Sequence, residues 1–349
     1  MPRSTNRCKL SCFRTFVLFM QHKITHILRI SLIVYGLLSC IQLQSADGIS
    51  LPEVKKTKRH SDFPDPIPQG DLNRITIPIK RAGNLLLLEV RIDSIVGNLI
   101  LDTGAPHLVL NSTYFRNYPK YGSIVAAGIT GGGGEGSQTQ IGRMDVAPGL
   151  FYTKVDADVV PLGHLESKKG VKILGLFGLN LLKRMEIHFH IRDNEIVLYR
   201  LTRNGERLYK DDAELLQTAI KPLRISQENG LLLMDAQINE KHLLFYLDSG
   251  AETNILHSGC SKKVFDKVNI TKRSMLSGVG QSQVEVFQGD LSELTVNGMV
   301  FKEVGVTVMN LNSMRTAYDV SIDGMLGYGF LAQRSIGINF IKGALYIWD

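Results

Sequence analysis

Leu99-Ile100-Leu101-Asp102-Thr103-Gly104-Ala105 is echoed 146 residues later by Phe245-Tyr246-Leu247-Asp248-Ser249-Gly250-Ala251. Each stretch is an apolar run that reads as a buried strand, ending in an acid, a hydroxyl residue and a glycine. The match spreads outward on both sides. Residues 85–105 (LLLLEVRIDSIVGNLILDTGA) align without a gap to residues 231–251 (LLLMDAQINEKHLLFYLDSGA), and residues 174–182 match residues 323–331 at an offset of 149. Each half therefore runs apolar hairpin, acid turn, Gly-rich segment, apolar-Gly segment, short helical run and final strand. One structural unit is used twice, which predicts two lobes.

Composition narrows the class. Hydrophobic residues make up 44% of the 349, enough for two cores of ordinary domain size. The formal charge of +7 suggests a nucleic-acid partner, but residues 1–46 hold Arg3, Arg7, Lys9, Arg14, Lys23 and Arg29 and no acid. The remainder has 34 bases against 33 acids, so no nucleic-acid partner is expected. The same leader sets its bases ahead of an uncharged run over residues 30–43, too short to span a bilayer comfortably. It reads as a secretory signal, with Met20 an alternative start, and implies an exported, periplasmic or secreted protein. Leu37-Leu38-Ser39-Cys40 also resembles a lipoprotein cleavage box, making Cys40 a lipidation candidate and a route to membrane attachment. With Cys8, Cys12 and Cys40 in the leader, Cys260 is left alone and no intrachain disulfide is expected.

Residues 47–73 are polar, with Lys55, Lys56, Lys58 and Arg59 followed by Pro64, Pro66 and Pro68, and read as a solvated tether. The first lobe is placed at residues 74–202, a connector at 203–220 and the second lobe at 221–349. Four consecutive glycines, 131 to 134, and the segment around Gly278 and Gly280 cannot hold regular structure cheaply and read as mobile hairpin tips. A phosphate-cradling loop is disfavoured there, since no Gly-Lys-[Ser/Thr] follows.

The pattern of apolar residues, Asp-[Thr/Ser]-Gly-Ala, a Gly-rich flap and an apolar-Gly-helix segment resembles the retropepsin-like aspartic proteases over nearly all of residues 74–349. The resemblance is to exported single-chain bacterial members, with both lobes in one chain; the pepsin branch is less similar, because Ala105 and Ala251 stand where it has Ser or Thr. It implies an all-β fold of two closed-barrel acid-protease lobes related by a pseudo-two-fold axis, no cofactor or metal, a polypeptide substrate and a monomer. It further implies that Asp102 and Asp248 form the catalytic dyad, braced by Thr103, Gly104, Ser249 and Gly250. Gly131, Gly132, Gly278 and Gly280 would belong to flaps closing over substrate, and Glu252, just past the second acid, would face it.

The residue types suit that chemistry. Peptide hydrolysis by this route needs one carboxylate to accept a proton from water and a second, protonated, to donate to the carbonyl oxygen. Two acids that close share one proton and titrate as a unit. Ala at 105 and 251 offers no hydroxyl to the ionised acid, so an optimum of about pH 5–6 is expected. Two other readings compete. His188 and His190 alternate on one strand as a metal pair would, but no third ligand accompanies them. A catalytically inactive protease-like protein that binds peptides is the alternative from another class.

Overall fold

The computed structural model describes residues 28–29, 63–71, 73–127, 133–209, 222–277 and 283–348. Cys40, Met20 and nearly all of the expected leader lie outside the described residues, as do residues 210–220 of the expected connector.

Among the described residues strands predominate and the helices are few and short. The N-terminal lobe contains β1 (Arg74–Pro78), β2 (Lys80–Ala82), β3 (Leu85–Ile92), β4 (Ile95–Leu101), β5 (Val109–Asn111), β6 (Gly122–Ala127), β7 (Gly133–Ala147), β8 (Leu150–Val160), β9 (Ile173–Phe177), β10 (Met185–His190) and β11 (Glu195–Arg200), with helix α1 (Gly163–Lys169) between β8 and β9. The C-terminal lobe repeats the plan with β12 (Leu223–Glu228), β13 (Leu231–Ile238), β14 (Lys241–Leu247), β15 (Asn254–His257), β16 (Val268–Ser277), β17 (Gln283–Val296), β18 (Met299–Met309), β19 (Gly324–Leu326), β20 (Ser335–Asn339) and β21 (Ala344–Trp348). Its helices include α2 (Asn312–Tyr318), the counterpart of α1, and α3 (Tyr328–Leu331). This is the expected two-lobed all-β fold.

The four-leucine run that opens β3 does not alternate, because both faces of the strand are covered. Leu86 and Leu88 enter the main core, while Leu85 and Leu87 enter a second core with Ile100, Ala105 and Val109. The C-terminal lobe repeats the division: Leu232 and Met234 face the main core, and Leu231 and Leu233 pack with Tyr246, Ala251 and Ile255. Asn229-Gly230 and Asn297-Gly298 close hairpins with positive φ at both residues, the turn that suits strand twist.

Below the two lobes one antiparallel layer joins them, in the order β12-β21-β20-β10-β11-β1. Each lobe supplies three strands in mirrored order. At the boundary β10 pairs with β20, Ile187 opposite Ile338 and His188 opposite Gly337. The latter two residues are related by the same offset of 149, so the pseudo-two-fold axis passes between them.

Residues 63–71, expected to be part of a solvated tether, lie against the N-terminal lobe. Gln69 and Phe151 exchange backbone hydrogen bonds of 2.8 and 3.2 Å, and Asp65 accepts from Lys183 at 3.0 Å. Arg200 donates to the carbonyls of Pro68 and Gly70 at 2.6 and 2.7 Å. The prolines keep this segment extended without needing donors of their own.

Candidate active site

β4 ends at Leu101 and β14 at Leu247, so each acid begins the turn that leaves a buried strand. β9 runs parallel to β4, Phe177 opposite Leu101, and β19 lies the same way against β14, Leu326 opposite Leu247. The Asp102 amide donates to the Phe177 carbonyl at 3.1 Å and the Asp248 amide to that of Leu326 at 2.9 Å. The glycines after those strands permit the approach: a Cβ on Gly178 would stand 2.1 Å from the His107 carbonyl, and one on Gly327 2.5 Å from that of Ala251.

The turns lock together across the lobe boundary. The Thr103 amide donates to Ser249 Oγ at 3.0 Å, and the Ser249 amide to Thr103 Oγ1 at 2.9 Å. Each hydroxyl then donates to the opposite strand, Thr103 to the Leu247 carbonyl at 3.2 Å and Ser249 to that of Leu101 at 2.9 Å. Every polar group of this cross is buried and paired. It brings Gly250 onto the other lobe's acid, where a Cβ would lie 2.5 Å from Asp102 Cγ.

Asp102 is fully buried and Asp248 1% exposed. Burial, and then the charge of Asp248 and a hydrogen bond to it, hold the Asp102 carboxyl well above the usual carboxylate range. The Gly104 and Ala105 amides, donating to Asp102 Oδ1 at 2.8 and 3.0 Å, oppose that rise without overcoming it. Asp248 Oδ1 accepts from the Gly250 amide at 2.8 Å. Asp102 Oδ2 is buried and has no hydrogen-bond partner while both acids are ionised, so a proton between them resolves both the charge and the unmet bond.

Glu252 is placed differently from the sequence expectation. Its side chain is buried and engaged by the N-terminal lobe: Lys169 Nζ, from the end of α1, lies 2.6 and 2.7 Å from its two oxygens, and Asn84 donates to its backbone carbonyl at 2.9 Å. Arg81 adds a further cross-lobe bond, to the Tyr328 hydroxyl at 2.6 Å. Gly131, Gly132, Gly278 and Gly280 lie outside the described residues; the hairpins that carry them, β6–β7 and β16–β17, are described up to residues 127 and 133, and 277 and 283.

One pair of positions escaped the sequence reading. His107, in the turn after Asp102, pairs through Nε2 with the carboxylate of Asp158 on β8, both buried. The equivalent positions in the C-terminal lobe hold Thr253 and Thr307, whose hydroxyls stand 3.5 Å apart. Fifty-one residues separate His107 from Asp158, and no spacing rule links them. His188 and His190 go to structural partners, Glu186 and Ser335, and no group of three or more metal-ligating side chains occurs among the described residues.

Residues 234–333 match the family model of the gag-polyprotein putative aspartyl protease. Conglutin gamma, a basic 7S globulin from lupine seeds, superposes with a TM-score of 0.51 over 79% of this chain and 95% of its own, at 11% identity. An aspartic proteinase from Irpex lacteus gives a TM-score of 0.47 at 12% identity, over 79% of this chain and 97% of its own. No curated protein matches the chain. The resemblance to retropepsin-like aspartic proteases holds, and the lupine structure shares the two-lobed fold.

Proposed function

We propose that the chain is an aspartic endopeptidase, with Asp102 and Asp248 as its dyad and extended polypeptides as its substrates. The observation that carries this reading is the carboxyl of Asp102, pressed against Gly250 of the other lobe and raised by burial and by Asp248. A pair holding one proton has both halves of the chemistry. Asp248, ionised, takes a proton from water as its oxygen attacks the peptide carbonyl, while Asp102 gives its proton to the carbonyl oxygen. The resulting diol collapses when its C–N bond breaks and the leaving nitrogen takes a proton from the pair. Thr103, Ser249 and the two glycines hold the geometry that makes the acids share. The basic-then-apolar leader supports action after export.

The test is cleavage of a mixed peptide library across pH 3–8 by the wild-type chain and its Asp248→Asn variant. Cleavage confined to the wild type supports the dyad. A folded wild type that cuts nothing, yet retains peptides, would favour the non-catalytic binding alternative.

A further inference from the structure

A line of contacts runs from the N-terminal segment to the flap through the turn that carries Asp102. The Phe63 ring stands edge-on to the His107 ring, 5.6 Å between centroids at 89°. His107 lies five residues beyond Asp102 and pairs through Nε2 with Asp158 Oδ2. Asp158 Oδ1 accepts from Gln138 Nε2 at 3.4 Å, and Gln138 sits opposite Asp158 on β7, the strand that leads to the flap. The Asp158 amide donates to the Leu108 carbonyl at 3.1 Å, sewing the same turn to β8 by its backbone.

The arrangement belongs to one lobe. In the other, Thr253 and Thr307 replace the ionisable pair, while Gln288 stands opposite Thr307 as Gln138 stands opposite Asp158. The flap-strand glutamine is thus common to both lobes, and the His–Asp pair with its aromatic neighbour is added to the first. A buried imidazole and carboxylate need a fixed geometry to stay paired, and Phe63 supplies one wall of it.

We propose that Phe63 is a positioning residue. By holding His107 against Asp158 it fixes the Asp102 turn and the root of the first flap, so residues 63–71 are a strap the working enzyme retains. This rests on the protease reading. It also means that trimming the chain past Phe63 should slow cleavage at least as much as removal of the Phe63 ring does.

The test compares Phe63→Ala and Phe63→Tyr with wild type in the full chain, by amide hydrogen exchange and by peptide cleavage. In Phe63→Ala, exchange over residues 102–111 and 135–141 should quicken up to about tenfold, the range an aromatic contact spans, with residues 248–257 and 285–291 unchanged. The same variant should lose about as much in kcat, with KM within about twofold, and Phe63→Tyr should restore both. With His107→Thr and Asp158→Thr already present, Phe63→Ala should add nothing, since its effect passes through that pair. If this background does not fold, Asp158→Asn serves in its place. Unchanged exchange in the first lobe, equal quickening in both lobes, or a full additive effect in the background would overturn the proposal. Should the wild type cut no peptide, the protease reading fails by itself while the exchange comparison still decides the role of Phe63.

Discussion

Gly337 faces His188 across the lobe boundary because a side chain there would collide with its neighbours. A Cβ on Gly337 would stand 2.8 Å from the Trp348 ring and 2.9 Å from His188 Nε2. Gly337→Ala should therefore destabilise the chain by about 1–3 kcal/mol, the usual cost of overpacking. Denaturant unfolding would measure it, and an unchanged midpoint would contradict it.

The same layer holds a buried network around Glu186. Its Oε1 lies 2.8 Å from His188 Nε2 and accepts from Arg207 Nε at 3.0 Å, and its Oε2 accepts from Asn339 at 2.7 Å. Burial raises the Glu186 carboxyl, but the bonds and charges of His188 and Arg207 outweigh it and bring it down to about 2. A folded pKa below the unfolded value gives stability that is present above about pH 4.5 and is lost as pH falls through about 2, of the order of 3 kcal/mol. Glu186→Gln should be less stable at neutral pH and flatter through that acid range. Thermal unfolding from pH 2 to 7 would follow both.

Activity should follow a bell in pH. Rising pH removes the shared proton as it passes the raised pKa of the pair, and falling pH adds a second proton and quenches the base. Asp102 lies high, and the position after Gly104 is Ala105, buried in an apolar core with no hydroxyl to offer the acid. The maximum should stand at about pH 5–6, and one below about pH 3.5 would contradict this account.

Gly250→Ala tests the closeness of the lobes at the dyad. Its Cβ would need the Asp102 carboxyl to move, so cleavage should fall by about a hundredfold or more, as a displacement of reacting groups near 1 Å does. The folded far-ultraviolet spectrum should persist.

Lys169 and Glu252 form a cross-lobe pair with side chains 13% and 6% exposed. A double-mutant cycle of Lys169→Met and Glu252→Gln should give a coupling of about 1–3 kcal/mol by denaturant unfolding. A cycle closing near zero would show that the pair adds nothing to lobe association.

The repeat announced the fold, because two aligned copies of a buried hairpin ending in an acid permit few architectures. Local patterning also marked the apolar-Gly segments whose close approach Gly178 and Gly327 now explain. What escaped was contact between residues far apart in the chain. Glu252 is expected to face substrate from its place after the second acid, while its partners Lys169 and Asn84 are remote in sequence; the Pro-rich stretch before Arg74 reads as solvated because its partners, Phe151, Lys183 and Arg200, follow much later. Asn111 is likewise buried by remote partners, donating to the Ile173 carbonyl and accepting from the Leu162 amide as well as from that of Thr113.

The meeting of His188 and Gly337 on the axis also bears on how two lobes fit together. Two N-terminal lobes joined through β10 would set one His188 against another, with a Cβ where the native neighbour has only hydrogen. A large ring on one side and a bare backbone on the other make the two halves a lock and its own key. The two halves share one plan, and at this position they are complementary rather than identical.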